Sequence, residues 1–373
     1  MIQNLRLISI NIKIWQSFGF IYKKSNWKFS LFIIVPILLN IFEILYLLEN
    51  YRNLETVILS SFMTAILSNS IFRSVAVVLN EKGFIKFHQE IEKIFREAEN
   101  RNDITTLKTL NEVGVKADKF TKFSLCLGGV GAIVAVIAPF LLNSRELPYR
   151  VSIPGIDVGQ SPYYEIIYSI EVFLIMPFMY VSYVPFTTLF INYLMFGIGC
   201  LRILQSKLEN VVDSSKDAEE IYADINVCIR YHNQIIRFSE NLSSLTSLVN
   251  LVEFFLFSLM LCVLLFFVYI VDNTTHQINA VMYIGSLLYV VLLSYWHANE
   301  FSYESLKVAE AAYNSDWTIC NSKIKKNILM IIIRSQNALQ IYAGGMYPMT
   351  LQTFQSVLSA TYSYFSVLNG ISK

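Results

Sequence analysis

Along the apolar run from Leu351 to Gly370, the small and polar residues Gln352, Ser356, Ser359, Ser363, Ser366 and Gly370 recur at steps of 4, 3, 4, 3 and 4. That spacing collects them on one face of a helix. Leu351, Phe354, Val357, Leu358, Phe365 and Leu368 occupy the other faces. With no base or acid beside them between Leu351 and Gly370, these serines are not set up as nucleophiles, but a polar face in hydrocarbon must meet protein or water. Periodicity leaves two readings open. One is close helix packing through small residues; the other is a pore wall, with several copies ringing a water path. The face carries no fixed charge, which argues against strong ion selectivity. Val367 and Ile371 flank its far end, where apolar side chains can gate a pore by dewetting.

Other reactive residue types are scattered. The five cysteines (126, 200, 228, 262, 320) form no CxxC, and the four histidines (88, 232, 276, 297) have no ligand spacing. Neither a metal site nor a disulfide framework is expected. No nucleophile or acid–base constellation appears, so no catalytic residues, enzyme activity or cofactor are expected. A net charge of +1 makes no case for nucleic acid. Three acids fall in or near apolar segments, where acids are functional candidates by default. Glu43 and Glu253 lie near segment ends and read as solvated. Glu171 lies about two turns deep, as a handle beside a pocket or as a hydrogen-bonded structural acid. Arg73 reads as snorkelling to the interface.

The elements that position these residues follow from composition. Of 373 residues, 54% are hydrophobic and only 15% charged, against roughly a quarter charged in soluble domains; mean hydropathy is +0.48. A bilayer span needs about 20 apolar residues. Seven such segments are expected, at roughly 29–48, 56–79, 120–142, 163–201, 245–271, 280–297 and 351–370. The fold class is thus an all-α, seven-transmembrane-helix protein in a lipid bilayer, with the whole chain as one domain. The basic N-terminal region leads into a full-length span with no cleavage pattern, so no cleavable leader is expected.

Orientation follows Lys and Arg in short loops. The first 28 residues carry five basic residues and no acid, and 82–122 carry nine. Placing both inside also puts 202–237 and 307–334 inside, leaving only Arg52, Arg145, Arg150 and Lys373 outside. The N-terminus is therefore inside and the C-terminus outside. The sequon at Asn273 then falls outside, where it can be used.

The inside segments 80–119 and 206–244 carry helical spacing, and the sixth span continues through "HANEFSYESLKVAEAAYNSDW". "NSKIKKNILMIIIRSQNALQIY" reads as one further amphipathic helix, ended by Gly344-Gly345, with Pro348 blocking continuation and Thr350 capping the last span. A cytosolic helical layer, from about 202–244 and 298–343, is the outcome. It is either loop scaffolding or an oligomerisation platform, and three segments able to pack together favour the platform.

The end "RSQNALQIYAGGMYPMTLQTFQSVLSATYSYFSVL" resembles the C-terminal signature of insect odorant receptors. "AAYNSDW" and "IPGIDVGQSPYYEIIYSIEVF" resemble that family's stretches after the sixth span and before the fourth. The related gustatory receptors carry TYxxxxxQF. Here Thr361-Tyr362 is present, but Leu368-Asn369 stand where Gln-Phe would be, which favours an odorant receptor. The chain lacks the longer intracellular insertion of the family's shared co-receptor, so it resembles a ligand-tuned subunit.

The resemblance implies a tetrameric, ligand-gated, non-selective cation channel assembled with the co-receptor through the cytosolic anchor, in the plasma membrane of a sensory-neuron dendrite. It implies a pore lined by the last helix at Ser359, Ser363, Ser366 and Gly370, with Val367 and Ile371 at the gate; Gly370 departs from the co-receptor's Gln. It implies a pocket for a small volatile ligand among spans two, three, four and six. On this chain that pocket maps to Phe62, Met63 and Ile66; Gly131, Val134 and Ala138; Tyr168 and Val172; and Tyr283, Ser286 and Tyr289. A homomeric gustatory-type channel is the alternative in the same class. A metabotropic seven-helix receptor is the rival in another class, and it fails on orientation and on the missing DRY and NPxxY motifs.

Overall fold

The computed structural model describes residues 6–21, 27–141, 147–213, 216–271 and 274–371. Eleven α-helices are described: α1 Ser9–Ser17, α2 Trp27–Glu49, α3 Leu54–Leu79, α4 Glu81–Asn100, α5 Ile104–Leu141, α6 Tyr163–Ile170, α7 Met176–Glu209, α8 Ala218–Ile270, α9 Thr274–Asn314, α10 Ser322–Ser335 and α11 Leu351–Ile371. By length and composition, stretches of α2, α3, the α6–α7 run, α8 and α9 can each cross a membrane. The other two candidates, α5 and α11, are 38 and 21 residues long.

A π-turn, Glu171–Ile175, joins α6 to α7. Pro177 has no N–H to bond back with, and a wider turn absorbs the lost donor. Beyond it α7 is apolar on nearly every side, and Leu189, Ile191, Tyr193, Leu194 and Phe196 are all buried. A helix of that kind belongs at the centre of a bundle, and α7 packs between α5 and α9. Its contact with α9 is close because Gly197 has no side chain: a Cβ there would lie 2.6 Å from the Phe301 ring.

Four helices, α5, α7, α8 and α9, are much longer than the roughly 30 Å hydrocarbon layer. α8 has 53 residues, about 80 Å at 1.5 Å per residue. The polar ends of α7, α8 and α9 gather with α10 into one layer. There Arg202 donates to Glu300 and Glu304 at 2.9 and 3.1 Å, and Gln205 Nε2 donates to the Glu304 carboxylate at 3.1 Å.

Three local expectations are corrected. The segment 80–119 is two helices, broken where Asn102 takes a left-handed φ of 49° and Asp103 accepts from the Thr106 N–H at 3.0 Å, capping α5. The segment 206–244 is also broken. α7 stops at Glu209, and Asp217 restarts the chain with a capping box to Glu220. The third correction concerns α10, which ends at Ser335 rather than at the glycine pair. Gly344 and Gly345, at φ of 63° and 70°, instead turn a two-stranded hairpin, β1 Tyr342–Ala343 with β2 Tyr347–Pro348. Two consecutive residues with positive φ make the turn that suits a hairpin. The hairpin docks on α8 through the Gly344 N–H to Ser247 O at 2.9 Å. Thr350 does cap α11, its Oγ1 accepting from the Thr353 N–H at 3.2 Å.

Candidate ligand cavity and pore face

The cavity lies among α3, α7, α8 and α9. Phe62 and Ile66 of α3, Phe257 and Met260 of α8, Tyr295 of α9 and Met349 beneath α11 form its apolar walls. Its volume is about 50 Å³, below the roughly 150 Å³ of a void that holds benzene. An aromatic ligand therefore has to displace side chains, and Met260 and Met349 are the most adaptable walls.

Polar groups mark one side. Arg73, 1% exposed, forms an ion pair with Glu253, whose side chain also lines the cavity. Arg73 Nη1 donates to Tyr183 O at 3.3 Å and to Thr187 Oγ1 at 3.1 Å, and the guanidinium lies 4.1 Å from the Tyr183 ring centroid. Asn69 Oδ1 is buried on the same wall with no hydrogen-bond partner among the described residues.

These facts correct the reading of the intramembrane charges. Arg73 does not snorkel and Glu253 is not simply solvated, because a charge that meets a counter-ion inside the bundle need not reach water. Glu43 is buried, accepting from Asn40 Nδ2 at 3.2 Å. Glu171 is structural, accepting from the Tyr149 N–H at 3.2 Å.

Phe62 and Ile66 face the cavity. Tyr283 stacks on Phe62 at 4.5 Å, and Met63 packs beside them, half-buried. Ser286 and Tyr289 are exposed on α9. Gly131 and Val134 are exposed on α5, where a Cβ at Gly131 would touch nothing. Tyr168 donates its hydroxyl to Val136 O at 2.6 Å, tying α6 to α5. Val172 sits half-buried in the π-turn. The side chain of Ala138 lies outside the described residues, as does Asn273. The structure thus joins the α3 positions with Tyr283 and leaves the α5 positions apart from them. The α8 walls were missed, although Asn250 and Glu253, polar residues in an apolar helix, were a usable signal.

On α11, Phe354, Val357 and Thr361 are buried against the bundle. Phe354 stacks on Phe257 at 6.0 Å and meets Tyr295 at 5.9 Å, so two cavity walls touch this helix directly. Gln352, Ser356, Ser359, Ser363 and Ser366 are exposed, as is Val367. The hydroxyls of Ser356, Ser363 and Ser366 donate to the helix's own carbonyls at 2.9–3.0 Å. The side chains of Gly370 and Ile371 lie outside the described residues.

The family model described as 7tm Odorant receptor matches residues 53–362. The chain belongs to the insect odorant receptor family. This odorant receptor is 33% identical to odorant receptor 10 of Aedes albopictus over 98% of its own length and 97% of the relative's. It is 29% identical to odorant receptor Or2 of Anopheles gambiae, covering 100% and 99% of the two chains. The solved structure of the olfactory receptor OR5 of Machilis hrabei in complex with eugenol superposes with a TM-score of 0.80 at 18% identity, over 99% of this chain and 97% of that one. At that identity the likeness shows the fold: a seven-span, all-helical membrane protein, with α5 and α11 completing the set of spans.

Proposed function

We propose that this odorant receptor is the ligand-binding subunit of a ligand-gated, non-selective cation channel, assembled as a tetramer with a co-receptor in the plasma membrane, N-terminus inside. One observation carries the reading. The serine face of α11 is uncovered by its own chain, and a polar face at membrane depth has to meet water or another subunit. Four such helices around an axis make a water path, with Val367 and Ile371 at its outer end and the side of Gly370 in its lining. The basic inner loops support the orientation.

In this reading the odorant enters the α3–α7–α8–α9 cavity and displaces its methionines. Motion of Phe257 and Tyr295 then reaches the pore helix through Phe354. The unpartnered Asn69 Oδ1 and the Glu253 carboxylate are both acceptors, so the favoured ligand is compact and apolar with one hydrogen-bond donor. The test is whole-cell current from cells expressing this chain with and without an odorant receptor co-receptor, against a volatile panel. Odorant-evoked cation current only on co-expression is the expected result. Current from this chain alone would replace the tuning-subunit reading with a homomeric channel. Silence of both, with surface expression shown and a broad panel tested, would count against the channel reading.

A further inference from the structure

A second cleft, of about 430 Å³, opens at the polar end of the bundle between α4, the α4–α5 turn, the end of α7 and α8. Five cationic side chains line it, Lys93, Arg101, Lys207, Arg230 and Arg237, against two carboxylates, a formal net charge of +3. Both carboxylates are engaged within the fold. Asp103 caps α5 and pairs with Lys207. Glu97 accepts from Gln234 Nε2 at 2.9 Å and stands 3.8 Å from Lys93 Nζ. Arg101, Arg230 and Arg237 are exposed, and their side chains have no hydrogen-bond or ion-pair partner among the described residues. Arg230 and Arg237 are seven residues apart, which places them on one face of α8, and Arg101 faces them from the turn. Setting orientation in a membrane needs only positive charge in the loop. It does not need three open guanidinium forks around one concavity.

We propose that this cleft binds a small polyphosphorylated anion, of the inositol phosphate class, free in solution or as a lipid headgroup. A phosphate monoester carries about −1.5 to −2 charges at neutral pH, so two phosphates match the net charge of the lining. The guanidinium fork fits phosphate oxygens in pairs. The volume falls within the roughly 300–1,000 Å³ of small-molecule sites. An anion held there ties the α4–α5 turn to α8, the helix whose far half walls the odorant cavity.

The test needs no odorant and no current, so it stands apart from the channel reading. The full-length chain in detergent is titrated calorimetrically with inositol trisphosphate, with short-chain phosphatidylinositol bisphosphate, and with short-chain phosphatidylserine as the single-phosphate control. R230Q/R237Q and R230K/R237K are compared with the unaltered protein, and melting curves verify their folding. The expected result is polyphosphate binding that weakens about 100-fold in the Gln pair, roughly tenfold per arginine, and less in the Lys pair, which keeps charge but loses the fork. Binding of both polyphosphates assigns the site to free anions as well as lipid; binding of the lipid alone assigns it to the headgroup. No binding of either by the folded protein, unchanged affinity in R230Q/R237Q, or equal binding of phosphatidylserine would overturn the proposal.

Discussion

Removing the Glu253 carboxylate tests the central electrostatic argument. In Glu253→Ala, Arg73 keeps its bonds to Tyr183 O and Thr187 Oγ1 and its place over the Tyr183 ring. What it loses is the counter-ion, at a position only 1% exposed. Breaking a buried pair from one side costs about 3–5 kcal/mol, because a charge is left uncompensated. Replacing both partners by apolar residues of similar volume is often neutral or better. The order of stability expected is therefore Arg73→Met/Glu253→Met near the unaltered protein, then Glu253→Gln, which keeps an acceptor without the charge, then Glu253→Ala. The assay is the melting of the detergent-solubilised, fluorescently tagged protein, followed by size-exclusion chromatography. Glu253→Ala should melt roughly 6–20 °C lower, at about 2–4 °C per kcal/mol. If Glu253→Ala melts with the unaltered protein, the pair is not a buried contact in the membrane. If the double Met variant is as unstable as Glu253→Ala, the cost comes from the shape of the cavity wall, and the argument from unpaired charge is refuted.

The other predictions bear on ligand, gate, packing and pH. Asn69→Leu should reduce, by about tenfold or more, the preference for an alcohol over its methyl ether in dose–response curves, since a buried acceptor without a donor costs about 1–3 kcal/mol; unchanged selectivity would remove Asn69 from recognition. Ile371→Ser should raise resting current in co-expressing cells, and an unchanged leak at equal surface expression would count against the apolar gate. Gly197→Ala should cost about 1–3 kcal/mol by overpacking, since its Cβ would lie 2.6 Å from Phe301; Phe301→Leu in the same chain should recover part of the lost melting temperature. Burial holds the His88 imidazole down at about 4, whereas an unfolded histidine titrates near 6.5. The neutral form is thus stabilising in full above about pH 6.5, and that contribution, up to roughly 3 kcal/mol, is lost as pH falls from there towards 4. Melting temperature against pH should be flatter in His88→Asn over that window, and parallel profiles would refute the assignment.

Much of the fold was legible because it is local. A helix has to satisfy its own backbone in hydrocarbon, so apolar runs and the charged segments between them mark where spans lie. The face of α11 bearing Ser356, Ser359, Ser363 and Ser366 follows from helix period alone, and the cap at Thr350 from a hydroxyl residue placed just after Pro348. Local pattern was less informative where one residue decides the outcome. A left-handed Asn102 splits the segment 80–119, and Gly344-Gly345 turn a hairpin where a helix end was the simpler reading.

By itself, then, the sequence determined a bundle of membrane-length helices, their orientation signal, a long polar overhang and a last helix with one polar face. Its motifs also carried the likeness to the odorant receptor family. Only the tertiary structure decided which faces meet. Arg73 and Glu253 are 180 positions apart in the chain, and neither helix's period says that one side chain answers the other. The same holds for Phe354 against Phe257 and Tyr295, and for the arginines that α8 and the α4–α5 turn present to one cleft. Periodicity fixes the direction of a side chain around its own axis. Its partner depends on how helices cross, and close contacts such as Gly197 on Phe301, made between residues 104 positions apart, set those crossings.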